Sequence, residues 1–200
     1  MQISAQQVKA LRERTGLALM ECKSALKEAA GDLDEAEKVL RKKGMAATAK
    51  RAGRTAAEGL VGSYIHIGGR IGVMLEVNCE TDFVARNSEF QALVKDISMH
   101  IAATAPRVVS RDQVTPELIQ QEQEIHRAVA EASGKPAAVV EKIISGKMDK
   151  FYEENCLMEQ PFVKDTNVTV GELVTQAAAR IGENIVVRRF VRFALGELSQ

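Results

Sequence analysis

The chain has 200 residues, 27 Lys+Arg against 27 Asp+Glu, a formal net charge of zero and a pI near 6.9. That length can bury one sizeable core, or a small domain beside a medium one, and the charge balance argues against a dedicated nucleic-acid binder. Neither a long apolar window nor an apolar signal core in MQISAQQVKALRERTG supports membrane spanning or secretion. The initial Met leads directly into structure, leaving little room for an organellar presequence, and Cys22, Cys79 and Cys156 form no CxxC unit, so a reducing cytoplasm is expected.

Ser4 is a good N-cap for a first helix with Val8 and Leu11 inward, and Thr15-Gly16 ends it. A second helix from about Ala18 to Ala30 presents Leu19, Met20, Cys22, Ala25, Leu26 and Ala29 before Gly31 stops it. Asp32 with Glu35 caps a third helix carrying Leu33, Ala36, Val39 and Leu40, expected to end near Gly44. Residues 1–45 therefore read as a three-helix bundle, and 46–58 as a basic helical linker. Residues 1–58 hold 12 basic and 8 acidic residues, the remainder 15 and 19. Arg41, Lys42, Lys43, Lys50, Arg51 and Arg54 have no acid among them between 41 and 54. This run is either a solvated helix face or a device for steering toward an acidic partner or an RNA-rich environment.

From Gly59 the apolar period changes to two. Two strands flank Gly68-Gly69, a strong hairpin signal. Helices are expected over Asn87–Ala103, Thr115–Ala132 and Pro136–Glu154, with Ser133-Gly134-Lys135 separating the last two. Gln160 to Asp165 reads as a short extended piece, and Thr169 caps a helix over Val170–Ile181. A final strand, Asn184–Ala194, would place Ile185, Val187, Arg189, Val191 and Phe193 on one face and Val186, Arg188, Phe190 and Arg192 on the other. Neither face is cleanly apolar, which points to cover from a second subunit. The fold class is α+β: an N-terminal helical bundle, then a core spanning 59–200 with a three-stranded antiparallel sheet packed against helices.

The segment Glu80-Thr81-Asp82-Phe83-Val84-Ala85-Arg86-Asn87 follows the strand ending at Cys79. Thr81 can cap a helix there, and Asp82 suits its first turn. Phe83 then sits at a helix mouth beside a carboxylate. Either the ring is exposed and anchors a partner, or it folds into its own core while Asp82 completes the cap.

Catalytic signatures are thin. The chain has no GxxxxGK[ST], GxGxxG after a strand, HExxH or GxSxG, and Gly68-Gly69-Arg70-Ile71-Gly72 lies in a hairpin turn that does not cradle phosphate. His66, His100 and His126 fall in three elements without metal-ligand spacing, and His100 reads as a satisfied core-edge imidazole. No metal or cofactor is expected. Interaction features are richer. Leu19 is the better candidate for an exposed contact and Met20 can lie partly in the core, with Lys9, Arg12 and Lys23 supplying a cationic rim.

Leu11-Arg12-Glu13-Arg14-Thr15-Gly16, Met20-Glu21-Cys22-Lys23, Val77-Asn78-Cys79-Glu80-Thr81-Asp82-Phe83-Val84 and Arg180-Ile181-Gly182-Glu183-Asn184 resemble bacterial translation elongation factor Ts. Gln160-Pro161-Phe162-Val163 and Thr169-Val170-Gly171-Glu172-Leu173 fit the same pattern, so the resemblance covers essentially the whole chain. It implies a cytoplasmic guanine-nucleotide exchange factor for elongation factor Tu, GDP-bound or nucleotide-free, acting without covalent chemistry of its own. The N-terminal bundle would be ubiquitin-associated-like and meet the GTPase domain. The resemblance implies that Asp82 and Phe83 intrude into the GTPase and disturb its magnesium site, flanked by Thr81 and Val84. Lys9, Arg12, Leu19, Met20, Lys23 and Arg51 match positions at or near that surface. The chain looks like the short form, lacking a duplicated core subdomain and a protruding coiled coil, which implies a homodimer. From the residues alone, an adaptor that leaves Asp82-Phe83 inert and an RNA-binding role for the cationic run stay open.

Overall fold

The computed structural model describes residues 3–132 and 136–197. The break expected at Ser133-Gly134-Lys135 lies outside them. By its internal packing the chain divides into two compact units. The first comprises residues up to 59, 78–90 and 174–186; the second comprises 60–77, 91–173 and 187 onward.

The first unit begins with three helices: α1 (Ala5–Thr15), α2 (Leu19–Glu28) and α3 (Leu33–Arg51). Ser4 and Gln7 form a reciprocal capping box on α1, and Gly16 ends that helix at φ +70°. Asp32 accepts from the Asp34 and Glu35 amides, both at 2.9 Å, satisfying donors that the first turn of α3 leaves open. Val8, Leu11, Cys22, Ala25, Leu26, Ala36 and Leu40 make the bundle core.

The third helix does not end near Gly44. It runs unbroken to Arg51, so no separate helix begins at Ala46, and residues 53–57 are non-helical. Tertiary packing overrides glycine's poor helix propensity here. A Cβ at Gly44 would lie 3.2 Å from the Ala179 Cβ, and Thr48 Oγ1 donates to the Thr175 carbonyl. Both partners belong to α8 (Val170–Ile181), so the glycine permits a close helix–helix approach.

The second unit holds most of a three-stranded antiparallel sheet in the order β1 (Glu58–Ile65), β2 (Ile71–Cys79), β5 (Val186–Ala194). Gly68 and Gly69, at φ +89° and +68°, turn the β1–β2 hairpin, which the His66 N–H closes on the Ile71 carbonyl. One sheet face packs on α5 (Ser88–Thr104): a Cβ at Gly62 would fall 2.4 Å from Val94 Cγ1. Val73, Leu75, Val94, Ile97 and Ile101 are buried in this region.

Helices α6 (Pro116–Ala132) and α7 (Ala137–Asn155) pack on one another around Ala130, Val140, Ile144, Met148 and Phe151. The two helices expected over Thr115–Ala132 and Pro136–Glu154 thus form one packed pair. Its α6 seam carries Glu122 and His126, partly covered and 3.8 Å apart, which interrupts the apolar repeat in the sequence. The extended piece at Gln160–Asp165 is larger than expected. It is a two-stranded ribbon, β3 (Pro161–Phe162) paired antiparallel with β4 (Asp165–Thr169). Thr169 and Glu172 then cap α8 reciprocally, each amide donating to the other's side chain at 3.1 Å.

The face assignment of the last strand is corrected. Ile185 and Val187 are buried, but Val191 and Phe193 are exposed, while Phe190 and Arg192 are half-buried. Arg192 Nε donates toward the Ala102 carbonyl of α5, and Arg189 Nε to Glu76 at 2.7 Å. Inward parity therefore switches at Arg188-Arg189, as it does where a strand takes an extra residue.

Candidate partner-binding surface

Thr81 is the N-cap of a one-turn helix, α4 (Asp82–Ala85), and its hydroxyl accepts from the Val84 amide at 3.4 Å. Asp82 pairs with Arg86 at 3.0 Å, and both are exposed. Phe83 is 79 % exposed, which rejects the alternative that its ring fills the core. Val84, expected beside it at the surface, is 6 % exposed and anchors the turn from within. In a single helical turn, neighbouring side chains point in different directions, so burying Val84 turns Phe83 outward.

Leu19 and Met20 open α2, whose buried face is Cys22, Ala25 and Leu26. Both are exposed, Met20 more so at 73 % against 52 %, reversing the expected ranking. Lys9, Arg12 and Lys23 are exposed too, and Lys9 lies 3.8 Å from Glu13. Arg51, in the last turn of α3, is half-buried; among the described residues its Nη1 has no hydrogen-bond partner. All ten residues singled out from the sequence fall within the first compact unit. A large exposed aromatic and an apolar pair with a cationic rim are the usual materials of a protein-recognition surface.

One set of residues carried the family resemblance but was given no role of its own from the sequence. Glu183 Oε2 accepts from the Glu80 and Thr81 amides at 3.0 and 3.1 Å, and its Oε1 accepts from the Thr81 hydroxyl at 2.7 Å. Glu80 Oε1 in turn accepts from the Asn184 amide at 2.7 Å. The Cys79 thiol, pushed upward first by burial and then by the Glu183 charge, donates to the Thr81 carbonyl at 3.2 Å. The Gly-Glu-Asn sequence after an amphipathic helix was the visible sign, but nothing in it reveals a partner a hundred residues away.

Among the described residues, no group of three or more His, Cys, Asp or Glu could hold a metal ion, and no helix is long and apolar enough to cross a membrane. A family model described as elongation factor TS matches residues 4–197. The chain belongs to the elongation factor Ts family. It is 58 % identical over 197 residues to elongation factor Ts of Geobacter metallireducens, covering 98 % of this chain and 91 % of that protein. The Geobacter sulfurreducens elongation factor Ts is 59 % identical over the same length, with the same coverage. That of Fervidobacterium nodosum is 57 % identical and is matched over its full length. Membership in the elongation factor Ts family places the chain in translation elongation.

Proposed function

We propose that this chain is a guanine-nucleotide exchange factor that promotes GDP release from elongation factor Tu, inserting Asp82-Phe83 and disturbing the partner's magnesium and phosphate site so that GTP can rebind. The observation that carries this reading is an exposed Phe83 on a turn fixed by buried Val84 and by the Thr81 cap. Burying such a ring in a partner gains roughly 1.5–3 kcal/mol. Every 1.4 kcal/mol, roughly, is a factor of ten in affinity. Insertion energy on that scale can be spent on moving the partner's phosphate-binding elements instead of on a tight resting complex.

Linkage sets the thermodynamics. If this chain weakens nucleotide binding by some factor, nucleotide weakens binding of this chain by the same factor. The substrate is a conformation, and the chain needs no nucleophile or base. Lys9, Arg12 and Lys23 would guide encounter, Leu19 and Met20 would bury on contact, and Arg51 and Thr81 would border the surface. Val84 supports it from below. The chain would act in the cytoplasm as a homodimer, paired through the exposed face of its three-stranded sheet.

Stopped-flow release of a fluorescent GDP analogue from elongation factor Tu tests this reading. Phe83→Ala is expected to lower stimulated release about tenfold or more, as removal of a central aromatic does. Its thermal midpoint should stay close to that of the parent chain, because the ring is largely exposed. A wild-type release rate with a midpoint lowered by many degrees would reject the reading.

A further inference from the structure

We infer that Glu183 is the positioning residue for the Asp82-Phe83 turn, holding Phe83 in the attitude in which it enters the partner; this rests on the exchange reading above. A single helical turn does not hold itself, because the first turn of a helix fixes several dihedrals for one hydrogen bond. In α4 the two helical bonds, Ala85 N–H to Thr81 and Arg86 N–H to Asp82, are both long at 3.3 Å. One short backbone bond, from the Asn87 N–H to the Val84 carbonyl at 2.9 Å, closes the end of the turn; at its start the short bonds come from elsewhere.

One carboxylate takes three donors from two adjacent residues: both amides at the strand-to-turn junction and the hydroxyl of the cap. Bonds to an ionised acceptor are stronger and more directional than neutral ones. The arrangement is reciprocal. Glu80 accepts from the Asn184 amide, and buried Asn184 donates its side-chain amide to the Arg54 carbonyl at 2.9 Å. Arg54 also approaches Glu80 at 3.5 Å. The turn is thereby tied to the end of α8 and to the segment following α3, all within the first unit.

The reach of Glu183 has a backbone origin. Gly182 closes α8 at φ +87°, and its N–H bonds the Ala178 carbonyl at 2.9 Å. A Cβ there would meet nothing within 4 Å, so the glycine serves its left-handed conformation and not a tight contact. The reversal it allows brings the next side chain to the turn.

The test is a double-mutant cycle on stimulated GDP release. It is run at factor concentrations where Phe83→Ala still exceeds the spontaneous rate. Glu183→Ala should lower release about tenfold, in the range of losing a central contact. Glu183→Gln should recover to within about threefold, because its oxygen can keep both amides while its NH2 donates to the Thr81 hydroxyl. In the Phe83→Ala background, Glu183→Ala should cost less than about twofold more, since a positioning residue has nothing left to position. Wild-type release by Glu183→Ala, or an equal loss in both backgrounds, would overturn the assignment and make Glu183 a residue of the general fold.

Should Glu183→Ala fail to fold by circular dichroism, Thr81→Ala carries the same cycle. A drop of about threefold that vanishes without Phe83 supports the assignment, and no drop overturns it. If Phe83→Ala itself releases GDP at the wild-type rate, the exchange reading fails and takes this assignment with it. If only the Glu183 and Thr81 variants behave as wild type, the exchange reading stands and the assignment alone falls.

Discussion

His100 is fully buried in α5, with both ring nitrogens engaged. Nε2 lies 2.9 Å from Gln160 Oε1, and Nδ1 accepts from the Val163 amide at 3.3 Å. The Thr104 hydroxyl also donates to Gln160 Oε1, at 2.8 Å. A second proton on Nδ1 would face an N–H, and burial lowers the imidazole pKa below its ordinary 6.5, opposed in part by Gln160. Below that value the unfolded chain binds a proton that the folded chain resists. The stabilising contribution is whole above pH 6.5 and falls as pH drops through it toward the folded value. Urea unfolding between about pH 7.5 and about pH 5.5 should lose midpoint in the parent chain and less in His100→Gln. Equal slopes would show that the acid sensitivity lies elsewhere. The sequence disclosed this histidine as a satisfied core-edge group, and it disclosed Thr81 as a cap, because both follow from local chemistry. It could not decide Phe83, because an aromatic's burial depends on which neighbour the turn sends inward, and here that neighbour is Val84. Glu183 was beyond reach for a related reason: its partners are local only in space.

Helix starts were the most legible elements, since Ser4, Asp32 and Thr169 each satisfy open amides within three residues. Helix ends were less so. Gly44 reads as a stop until Ala179 is known to lie against it. The β3–β4 ribbon was hidden by its brevity, whereas α6 and α7 were both legible and only their mutual packing was not, because Glu122 and His126 interrupt the apolar repeat. The bundle supports a prediction at this scale. Arg12 and Lys23 are exposed, as are Leu19 and Met20, on a bundle with excess positive charge. Reversing both to Glu should slow association with elongation factor Tu more than it speeds dissociation. The defect should shrink as salt rises, because exposed charges are screened over about 8–10 Å at physiological ionic strength. A salt-independent defect confined to the off-rate would replace steering with a buried ion pair.

The sheet leaves one face open to solvent. Val61 and Ile65 on β1, Met74 on β2, and Val191 and Phe193 on β5 are all exposed, with the Glu76–Arg189 ion pair among them. This open face is the one we propose a second copy of the chain covers. Arg192 reaches the Ala102 carbonyl of α5 and Phe190 is half-buried, while Val191 and Phe193 are exposed. Contiguous apolar patches of this kind are rare on monomers. Sheets bury such faces by stacking on another sheet about 10 Å away, and a twofold axis lets one face serve as its own complement. The patch contains its own acid and base, so two copies meet without net charge. A stable pair would bury on the order of 2,000 Å² in total. Sedimentation equilibrium at micromolar protein and physiological salt should then give twice the 21.8 kDa chain mass. Ile65→Lys with Phe193→Lys should reduce it to the single chain while preserving helix content, since both side chains are exposed. A parent chain that stays at 21.8 kDa on concentration would show that the open face tolerates water and that pairing is not how this fold is completed.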